Sequence, residues 1–185
     1  MNKYIGIAGT NYSKSLNAKM LNFIKKHFAA QADIELLDIS QWPLFSKVDA
    51  NLVPEAVLKA SQKIKQADGV IFATPEYDHS VPAVLMNALA WLSYLDQPFN
   101  AKPVLITGVS YGALGTSRAQ EHLRKILNAP ELGAKLMESQ EFLVGRGFQT
   151  VAENGQLEAS LLKELDQQFS AFETFVAAVK KEGDQ

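Results

Sequence analysis

The fold of this chain is decided by the stretch Val70-Ile71-Phe72-Ala73-Thr74-Pro75-Glu76-Tyr77-Asp78-His79-Ser80-Val81-Pro82. Its first five residues form a largely apolar run that Pro75 ends, and such a run predicts a strand buried on both faces. A short loop between two prolines follows, and residues 81–95 then have the length and apolar content of a helix. A buried strand, a tight loop and a helix in this order are typical of α/β proteins with a parallel sheet.

Outward from this stretch, apolar strands and helical segments alternate along the chain. Strands are predicted at residues 4–8, 33–39, 70–74, 103–109 and 141–144, the last being the weakest. Helices are predicted at residues 16–30, from Pro54 onward, and at 81–95, 117–127 and 157–179, with a loop at 41–53 and a frayed tail at 180–185. Because no repeat or change in composition divides the chain, we expect a single α/β domain over residues 1–185. Its five-stranded parallel sheet should carry helices on both faces, as a three-layer sandwich.

The composition of the chain argues against several functions. The 185 residues contain no cysteine, which rules out disulfides, thiolate nucleophiles and thiolate metal ligands. The histidines His27, His79 and His122 are too scattered to predict a metal site. The net charge of −2 argues against nucleic acid held by a basic face, and no apolar segment reaches the ~20 residues of a membrane span. With no signal-like segment at the start, we expect a cytoplasmic protein without nucleic-acid or membrane partners.

The loops after the first, third and fourth strands are the candidate binding segments, because parallel sheets bind ligands at the carboxyl ends of their strands. The first loop, at 9–17, is rich in hydroxyl and amide groups and leads into a helix, whose N-terminus attracts anions. This pattern indicates a phosphate site, with an ordinary cluster of helix-capping side chains as the alternative. The loop has neither the glycine pattern of a dinucleotide-binding turn nor that of a Walker loop.

The second and third loops favour a planar ring. In the second, at 74–82, two prolines hold a short segment that presents Tyr77 and several polar groups. In the third, at 108–116, glycines allow the backbone to approach a ligand closely. Each of these two loops alone is better explained as an ordinary connection. One phosphate loop and two ring loops at the same edge together indicate a mononucleotide, with FMN the simplest choice.

Residues 4 to 127, and more loosely the rest of the chain, resemble the NADPH-dependent FMN reductase family, whose fold is flavodoxin-like. The family's first motif, Gly-Ser-x-Arg-x-x-Ser-x-Asn, is matched at Gly9, Thr10, Ser15 and Asn17. Its long second motif, which begins Thr-Pro-Glu-Tyr-Asn, is the most specific and is matched at Thr74, Pro75, Glu76, Tyr77, Ser80, Pro82, Leu85, Asn87, Ala88 and Trp91. Its third motif, a glycine-rich turn leading into Arg-Ala-Gln, is matched at Gly112, Gly115, Arg118, Ala119, Gln120, Leu123 and Arg124.

The resemblance implies an enzyme in which NADPH or NADH gives hydride to bound FMN, which then reduces a small acceptor such as a quinone, an azo compound or a free flavin. It also implies that the first loop holds the FMN phosphate and that the other two flank the isoalloxazine ring. No catalytic side chain and no metal are expected, because the flavin carries the redox chemistry. The residues expected to bind the cofactor are Thr10, Ser15, Leu16, Asn17, Pro75, Glu76, Tyr77, Asp78, Ser110, Gly112 and Gly115.

Two loop positions depart from the family pattern. Tyr12 stands where the family usually has Arg, so one cation for the phosphate is missing. Asp78 replaces Asn, which turns a hydrogen-bond donor into a carboxylate near the ring. Two alternative functions stay open: an electron carrier of the flavodoxin type, which the modest net charge of −2 disfavours, and a flavin-free or flavin-sensing regulator, which these two departures favour.

The helix at 81–95 is apolar around most of its circumference, whereas a sheet covers only one side of a helix. We therefore expect a homodimer or homotetramer assembled through this helix, which agrees with how subunits pair in the family. Trp42 and Phe45, in the loop at 41–53, are interpreted as apolar anchors of that loop. His79 and Arg118 are interpreted as surface side chains.

Overall fold

The computed structural model of the protein describes residues 1–95, 97–137 and 141–183. Its strands are β1 (Asn2–Ala8), β2 (Ala32–Leu37), β3 (Gly69–Ala73), β4 (Pro103–Val109), β5 (Lys135–Leu136) and β6 (Phe142–Val144). Its helices are α1 (Leu16–His27), α2 (Glu55–Gln66), α3 (Ala83–Tyr94), α4 (Ser117–Leu127), α5 (Gly147–Thr150) and α6 (Ala159–Gly183), with a 3₁₀ turn at Ala50–Leu52.

The described strands form one sheet in the order β2-β1-β3-β4-β5, and β6 also pairs with β4. Every pairing among them is parallel. The position beyond β4 is shared by two short strands; the sequence predicts β6 but not the two-residue β5, which is too short to leave a pattern. The flavodoxin-like α/β fold is therefore confirmed. The strand order reverses between β1 and β3, which is where such sheets bind ligands.

Helices cover both faces of the sheet because the side chains of its strands are apolar in both directions. On one face, residues such as Ile71 pack with α1 and with Phe169 of α6. On the other face, Phe72 packs with Leu89 of α3 and Leu123 of α4. Successive residues of β3 thus enter opposite cores, which explains why this strand reads as a continuous apolar run.

Several elements end differently from the sequence prediction. The strand predicted to reach residue 39 ends at Leu37, since the Asp38 carboxylate accepts a hydrogen bond from the Ser40 N–H at 2.8 Å and turns the chain. The helix predicted to reach residue 30 ends at His27. The last helix begins at Ala159 rather than at 157, because Leu157 pairs with Val151 in an isolated bridge.

The tail from residue 180 was expected to fray, but α6 continues to Gly183. The Lys180 Nζ lies 2.7 Å from the Asp68 carboxylate and donates to the Asn2 side chain at 3.0 Å. These contacts hold the last turns of the helix against the starts of β1 and β3. The end of the predicted tail, residues 184–185, lies outside the described residues.

The loop at 41–53 packs along α3 and covers the side of that helix that faces away from the sheet. Trp91 Nε1 donates to the Pro43 carbonyl at 2.8 Å. The Asn87 amide donates to the same carbonyl at 3.0 Å and accepts from the Phe45 N–H at 2.7 Å. The interpretation of Trp42 and Phe45 as loop anchors is confirmed, because both pack against the cluster around Trp91.

Part of the apolar surface of α3 from which a second subunit was inferred is therefore covered by this loop instead. An aperiodic loop gives no sign in sequence of which helix it will cover. On α3, Met86 and Tyr94 keep 40% of their surface exposed. None of the described helices is both long enough and apolar enough to cross a membrane.

Candidate active site

The loop between β1 and α1 presents unpaired backbone donors. Ser15 is the N-cap of α1, and its Oγ accepts from the Asn17 N–H at 3.2 Å and the Ala18 N–H at 3.5 Å. Among the described residues, the N–H groups of four loop or first-turn positions have no hydrogen-bond acceptor. These positions are Asn11, Ser13, Lys14 and Leu16. Free N–H groups at the positive end of a helix form an anion site.

Asn17 fixes the position of this loop relative to β4. Its Nδ2 donates to the Val109 carbonyl at 2.9 Å, and its Oδ1 accepts from the Val109 N–H at 2.8 Å. The side chain is buried, so both atoms of the amide serve the scaffold. Asn17 therefore places the anion site beside the end of β4.

The loop after β3 is a tight hairpin. The backbones of Tyr77 and Ser80 exchange hydrogen bonds of 3.2 and 2.9 Å. Asp78 and His79 between them both have positive φ, +49° and +62°. Few residues other than glycine adopt this conformation, but aspartate and histidine are among those that do so most readily, and the turn directs the Tyr77 ring toward the first loop. The Tyr77 hydroxyl lies 3.4 Å from Thr10 Oγ1.

Glu76 joins this hairpin to α4. One of its carboxylate oxygens accepts from the N–H groups of Arg118 and Ala119, at 3.1 and 3.3 Å. The other accepts from the Arg118 guanidinium at 3.3 Å, and the His79 ring nitrogen is 3.6 Å away. Thr116, the residue before α4, does not cap the helix with its own side chain. Glu76 therefore caps α4 from a different loop, and the charge suits the helix N-terminus.

The loop after β4 depends on glycine at two positions for its shape. Gly115 has a φ of +55°, and a Cβ there would lie 2.7 Å from the backbone between Leu143 and Val144. A Cβ on Gly108 would lie 2.2 Å from the Thr74 carbonyl. A Cβ on Gly112 would meet nothing within 4 Å. Gly108 and Gly115 thus let β4 and its loop approach their neighbours.

A cavity of about 90 Å³ opens where the three loops meet. Seven of the predicted residues line it: Ser15, Leu16, Asn17, Pro75, Glu76, Tyr77 and Ser110. The other four do not line it: Thr10, Asp78, Gly112 and Gly115. Thr10 lines a neighbouring cleft. Asp78 and Gly115 set the backbone shape of their loops and do not contact the cavity. Asp78 lies in the turn of the hairpin, and Gly115 packs against the backbone of β6.

Three residues that the sequence prediction left out also line the cavity: Tyr12, Val109 and Tyr111. Tyr12 and Tyr111 are 51% and 55% exposed, and with Tyr77 at 45% they surround the opening with aromatic rings. The Tyr111 ring also stacks on Phe148, with 4.0 Å between the ring centroids. A tyrosine in each of the three loops was a signal available in the sequence.

The groups at this site suit a ligand that has both an anionic group and a flat ring. It offers unpaired N–H groups on one side and ring faces on the other. The Glu76 carboxylate is already engaged by α4 and Arg118. Within residues 1–95, 97–137 and 141–183, no group of three or more His, Cys, Asp or Glu side chains could hold a metal ion.

Comparison with known proteins identifies the family. The model of the NADPH-dependent FMN reductase family matches residues 2–149. The Vibrio ruber protein named NADH:(hydroxy)cinnamate reductase subunit CrdA is 51% identical over 179 residues, which cover 96% of this chain and 89% of that protein. The quinone reductase of Escherichia coli K12 is 36% identical over 185 residues, covering 95% of this chain and 96% of that protein.

The fold is also found in a solved structure. FerB, a flavoenzyme NAD(P)H:(acceptor) oxidoreductase from Paracoccus denitrificans, superposes with a TM-score of 0.80. The alignment covers 98% of each chain at 24% identity. This likeness supports the fold described above.

Proposed function

The chain belongs to the NADPH-dependent FMN reductase family, and we propose that the cavity between its three loops is the FMN site of this NAD(P)H oxidoreductase. When bound, FMN accepts hydride from a reduced nicotinamide nucleotide and passes electrons to a second substrate. The observation that carries the proposal is the set of unpaired N–H groups at the start of α1, beside a cavity ringed by tyrosines.

The start of α1 binds the FMN phosphate in this proposal. The N–H groups of Ser13, Lys14 and Leu16 donate to the phosphate oxygens, and the helix dipole favours the negative charge. Ser15 acts as the N-cap that holds these donors in place. Asn17 contributes indirectly, because its amide is bonded to Val109.

The rings of Tyr77 and Tyr111 would flank the isoalloxazine, and the backbone of Pro75 and Ser110 would lie at its edge. Among the described residues, the N–H groups of Tyr111 and Gly112 have no acceptor, so they are free to donate to the polar edge of the ring. Glu76 supports this end by holding the hairpin against α4. The protein thus binds and orients the flavin and supplies no nucleophile.

The cavity of about 90 Å³ is smaller than the ~300–1,000 Å³ typical of ligand pockets. The exposed rings of Tyr12, Tyr77 and Tyr111 would hold the part of FMN that this cavity cannot enclose. We place the subunit contact along α3 and the loop at 41–53, giving a homodimer or a homotetramer. We also propose that the protein is cytoplasmic, because a sequence without cysteine fits a reducing compartment.

The electron acceptor is a small planar molecule that stacks on the exposed face of the flavin. Quinones are the first class to test, because the Escherichia coli relative is named a quinone reductase. Hydroxycinnamates are the second, given the name of the Vibrio ruber relative. Both are flat conjugated molecules that suit a site lined by aromatic rings.

The phosphate assignment is tested by removing one N–H group. Leu16 is the first residue of α1, where proline is well tolerated, and Ser15 has φ −59° and ψ 130°, which suit a residue before proline. We expect Leu16→Pro to weaken FMN binding by about 1.5–3 kcal/mol, the value of a hydrogen bond to a charged group. Leu16→Ala is the matched control, because it removes the same side chain and keeps the N–H group.

Fluorescence titration with FMN and with riboflavin reads out this difference. Riboflavin lacks the phosphate and should bind both variants equally. Equal FMN affinity in the two variants would contradict the phosphate assignment. Anaerobic addition of NADH or NADPH to the yellow holoprotein then tests turnover: bleaching indicates the oxidoreductase, and an unbleached flavin indicates an electron carrier.

A further inference from the structure

A second groove lies beside the cavity between the three loops, where the third loop meets the segment after β6. Its volume is about 380 Å³, which is in the range of small-molecule sites. We call it the Phe148 groove, and its lining residues are Tyr111, Ala113, Arg146, Phe148 and Gln149. Tyr111 lines both the cavity and this groove, so the two are adjacent.

Backbone contacts hold the segment after β6 against the third loop and the start of α1. The Gly147 N–H donates to the Ser110 carbonyl at 2.8 Å, and the Arg146 N–H donates to the Gly112 carbonyl at 2.7 Å. A Cβ on Gly147 would lie 2.7 Å from the Leu16 side chain, so the backbone approaches α1 closely. Because Ser110 and Leu16 line the cavity, this segment has a fixed position relative to it.

Arg146 brings an unpaired positive charge to the Phe148 groove. Its φ of +53° lies in the left-handed region, which residues with a side chain rarely adopt and which recurs at ligand-binding sites. The side chain is exposed, and its guanidinium forms no hydrogen bond or ion pair with the residues that the structure describes. A guanidinium presents a planar set of donors that matches the oxygens of an anionic group. Arg146 is therefore placed to pair with the charge of a ligand.

Phe148 adds an exposed aromatic face to the groove. The side chain is 75% exposed, and its ring stacks on Tyr111 with 4.0 Å between the centroids and an interplanar angle of 3°. Because Tyr111 contacts one face of this ring, the exposed surface includes the other face. Aromatic rings pack favourably against further flat rings. The groove thus offers separate partners for the ring and for the anionic group of one ligand.

We propose that the Phe148 groove is part of the electron-acceptor site and makes the protein prefer aromatic acceptors that carry an anionic group. The inference rests on the proposed function, because the reacting ring of the acceptor must reach the flavin in the adjoining cavity. The part of the acceptor that extends past Tyr111 packs on Phe148 and pairs its anionic group with Arg146. The lining of the groove contains this cation and no acid, so an anionic acceptor is favoured over a neutral one.

Calorimetric titration of the FMN-loaded protein tests binding without redox chemistry. The probes are naphthalene-2-sulfonate and 2-naphthol, which share a ring system, differ in charge and are not electron acceptors. We expect Arg146→Asn to weaken binding of the sulfonate about tenfold, the effect of losing a hydrogen bond to a charged group, and to leave binding of 2-naphthol unchanged. Asparagine adopts the left-handed conformation readily, so this variant keeps the backbone.

Three further variants serve as controls. Arg146→Lys keeps the charge and should restore most of the affinity for the sulfonate. Phe148→Ala removes the ring face and should weaken binding of both probes. Lys181→Gln removes an exposed charge next to Lys180, which pairs with Asp68 at the opposite edge of the sheet, and should change neither affinity.

Turnover kinetics distinguish the acceptor from the nucleotide as the occupant of the groove. We expect Arg146→Asn to lower, about tenfold, the ratio of kcat/KM for 1,4-naphthoquinone-2-sulfonate to kcat/KM for 1,4-naphthoquinone. Slower flavin reduction by NADH or NADPH, with this ratio unchanged, would assign the groove to the nucleotide and overturn the inference.

Two binding results would also overturn the inference. One is equal affinity of wild type and Arg146→Asn for naphthalene-2-sulfonate. The other is the absence of sulfonate binding to wild type, as when a second copy of the chain covers the groove. If the sulfonate binds through Arg146 but neither dinucleotide reduces the flavin, the proposed function fails and the site for an aromatic anion stands.

Discussion

At the scale of single residues, the first family motif contains a helix-capping side chain and a side chain that supports the sheet, and the sequence does not distinguish the two. Ser15 and Asn17 both match the first family motif and were both expected to bind the cofactor. In the fold, Ser15 caps α1 beside the unpaired N–H groups, whereas the Asn17 amide is bonded to the backbone of Val109. The partner of Asn17 is 92 residues away, and only the folded chain shows it.

Asn17→Ala should therefore destabilise the fold as well as weaken flavin binding. The substitution leaves the buried N–H and carbonyl of Val109 without partners, and each unpaired group costs about 1–3 kcal/mol. We expect the free energy of unfolding of the flavin-free protein to fall by ~2–4 kcal/mol in urea. Asn22→Ala is the control, because its amide bonds only to the Ala18 carbonyl on the surface of the same helix. Equal stability of the two variants would show that the Val109 contact is unimportant.

At the scale of elements, hydrophobic pattern was a reliable guide to the regular strands and helices. The strand at 103–109 and the helix at 117–127 are found at the predicted residues. The two-residue β5 and the four-residue α5 were missed, since elements this short contain too few residues for a period. Contacts between elements were also missed. The cap of α4, for example, is supplied by Glu76 from the loop after β3.

The Glu76 cap makes α4 depend on the loop after β3. Glu76→Ala leaves the N–H groups of Arg118 and Ala119 without acceptors and should lower the free energy of unfolding by ~1–2 kcal/mol. It should also speed amide hydrogen exchange in the first turn of α4. Glu121→Ala, which breaks an exposed pair with Lys125 in the same helix, should leave the free energy of unfolding nearly unchanged, because water screens such a pair. Unchanged exchange at Arg118 in Glu76→Ala would mean that the cap contributes nothing.

At the scale of the whole molecule, the sheet and the edge at which the three loops meet follow from the pattern of apolar strands and from the loops after them. The sequence suggests that one side of α3 is left uncovered within the chain. In the structure the loop at 41–53 covers that side through the contacts of Asn87 and Trp91. The C-terminal helix likewise continues past residue 180 because Lys180 pairs with Asp68. Both differences arise from long-range contacts of segments that carry no periodic signal.

The Asp68–Lys180 contact should make stability fall in acid. Burial of Asp68 opposes its charge, but hydrogen bonds from Lys180 and from the Lys3 N–H outweigh it and lower the pKa of the carboxyl. A carboxyl with a lowered folded-state pKa stabilises the fold above its unfolded pKa of about 3.9 and loses this contribution as pH falls through the folded value. Wild type should therefore lose more stability than Asp68→Asn between pH 5 and pH 2 in thermal denaturation. An equal loss of stability in the two proteins would show that Asp68 does not contribute to acid destabilisation.

The proposed homodimer is tested on the apolar surface that α3 and its covering loop leave exposed. Met86 on α3 is 40% exposed. Leu44 is 87% exposed, and it lies between Pro43 and Phe45, whose backbones are hydrogen-bonded to Asn87, the residue after Met86. Apolar contacts are not screened by salt, so sedimentation should give the same dimer at low and high ionic strength. Met86→Lys should dissociate it, because a buried unpaired charge costs several kcal/mol. Ala178→Lys, exposed on α6 across the sheet, should leave the dimer intact. A wild-type monomer at micromolar concentration, or dissociation as salt rises, would exclude an apolar interface along α3.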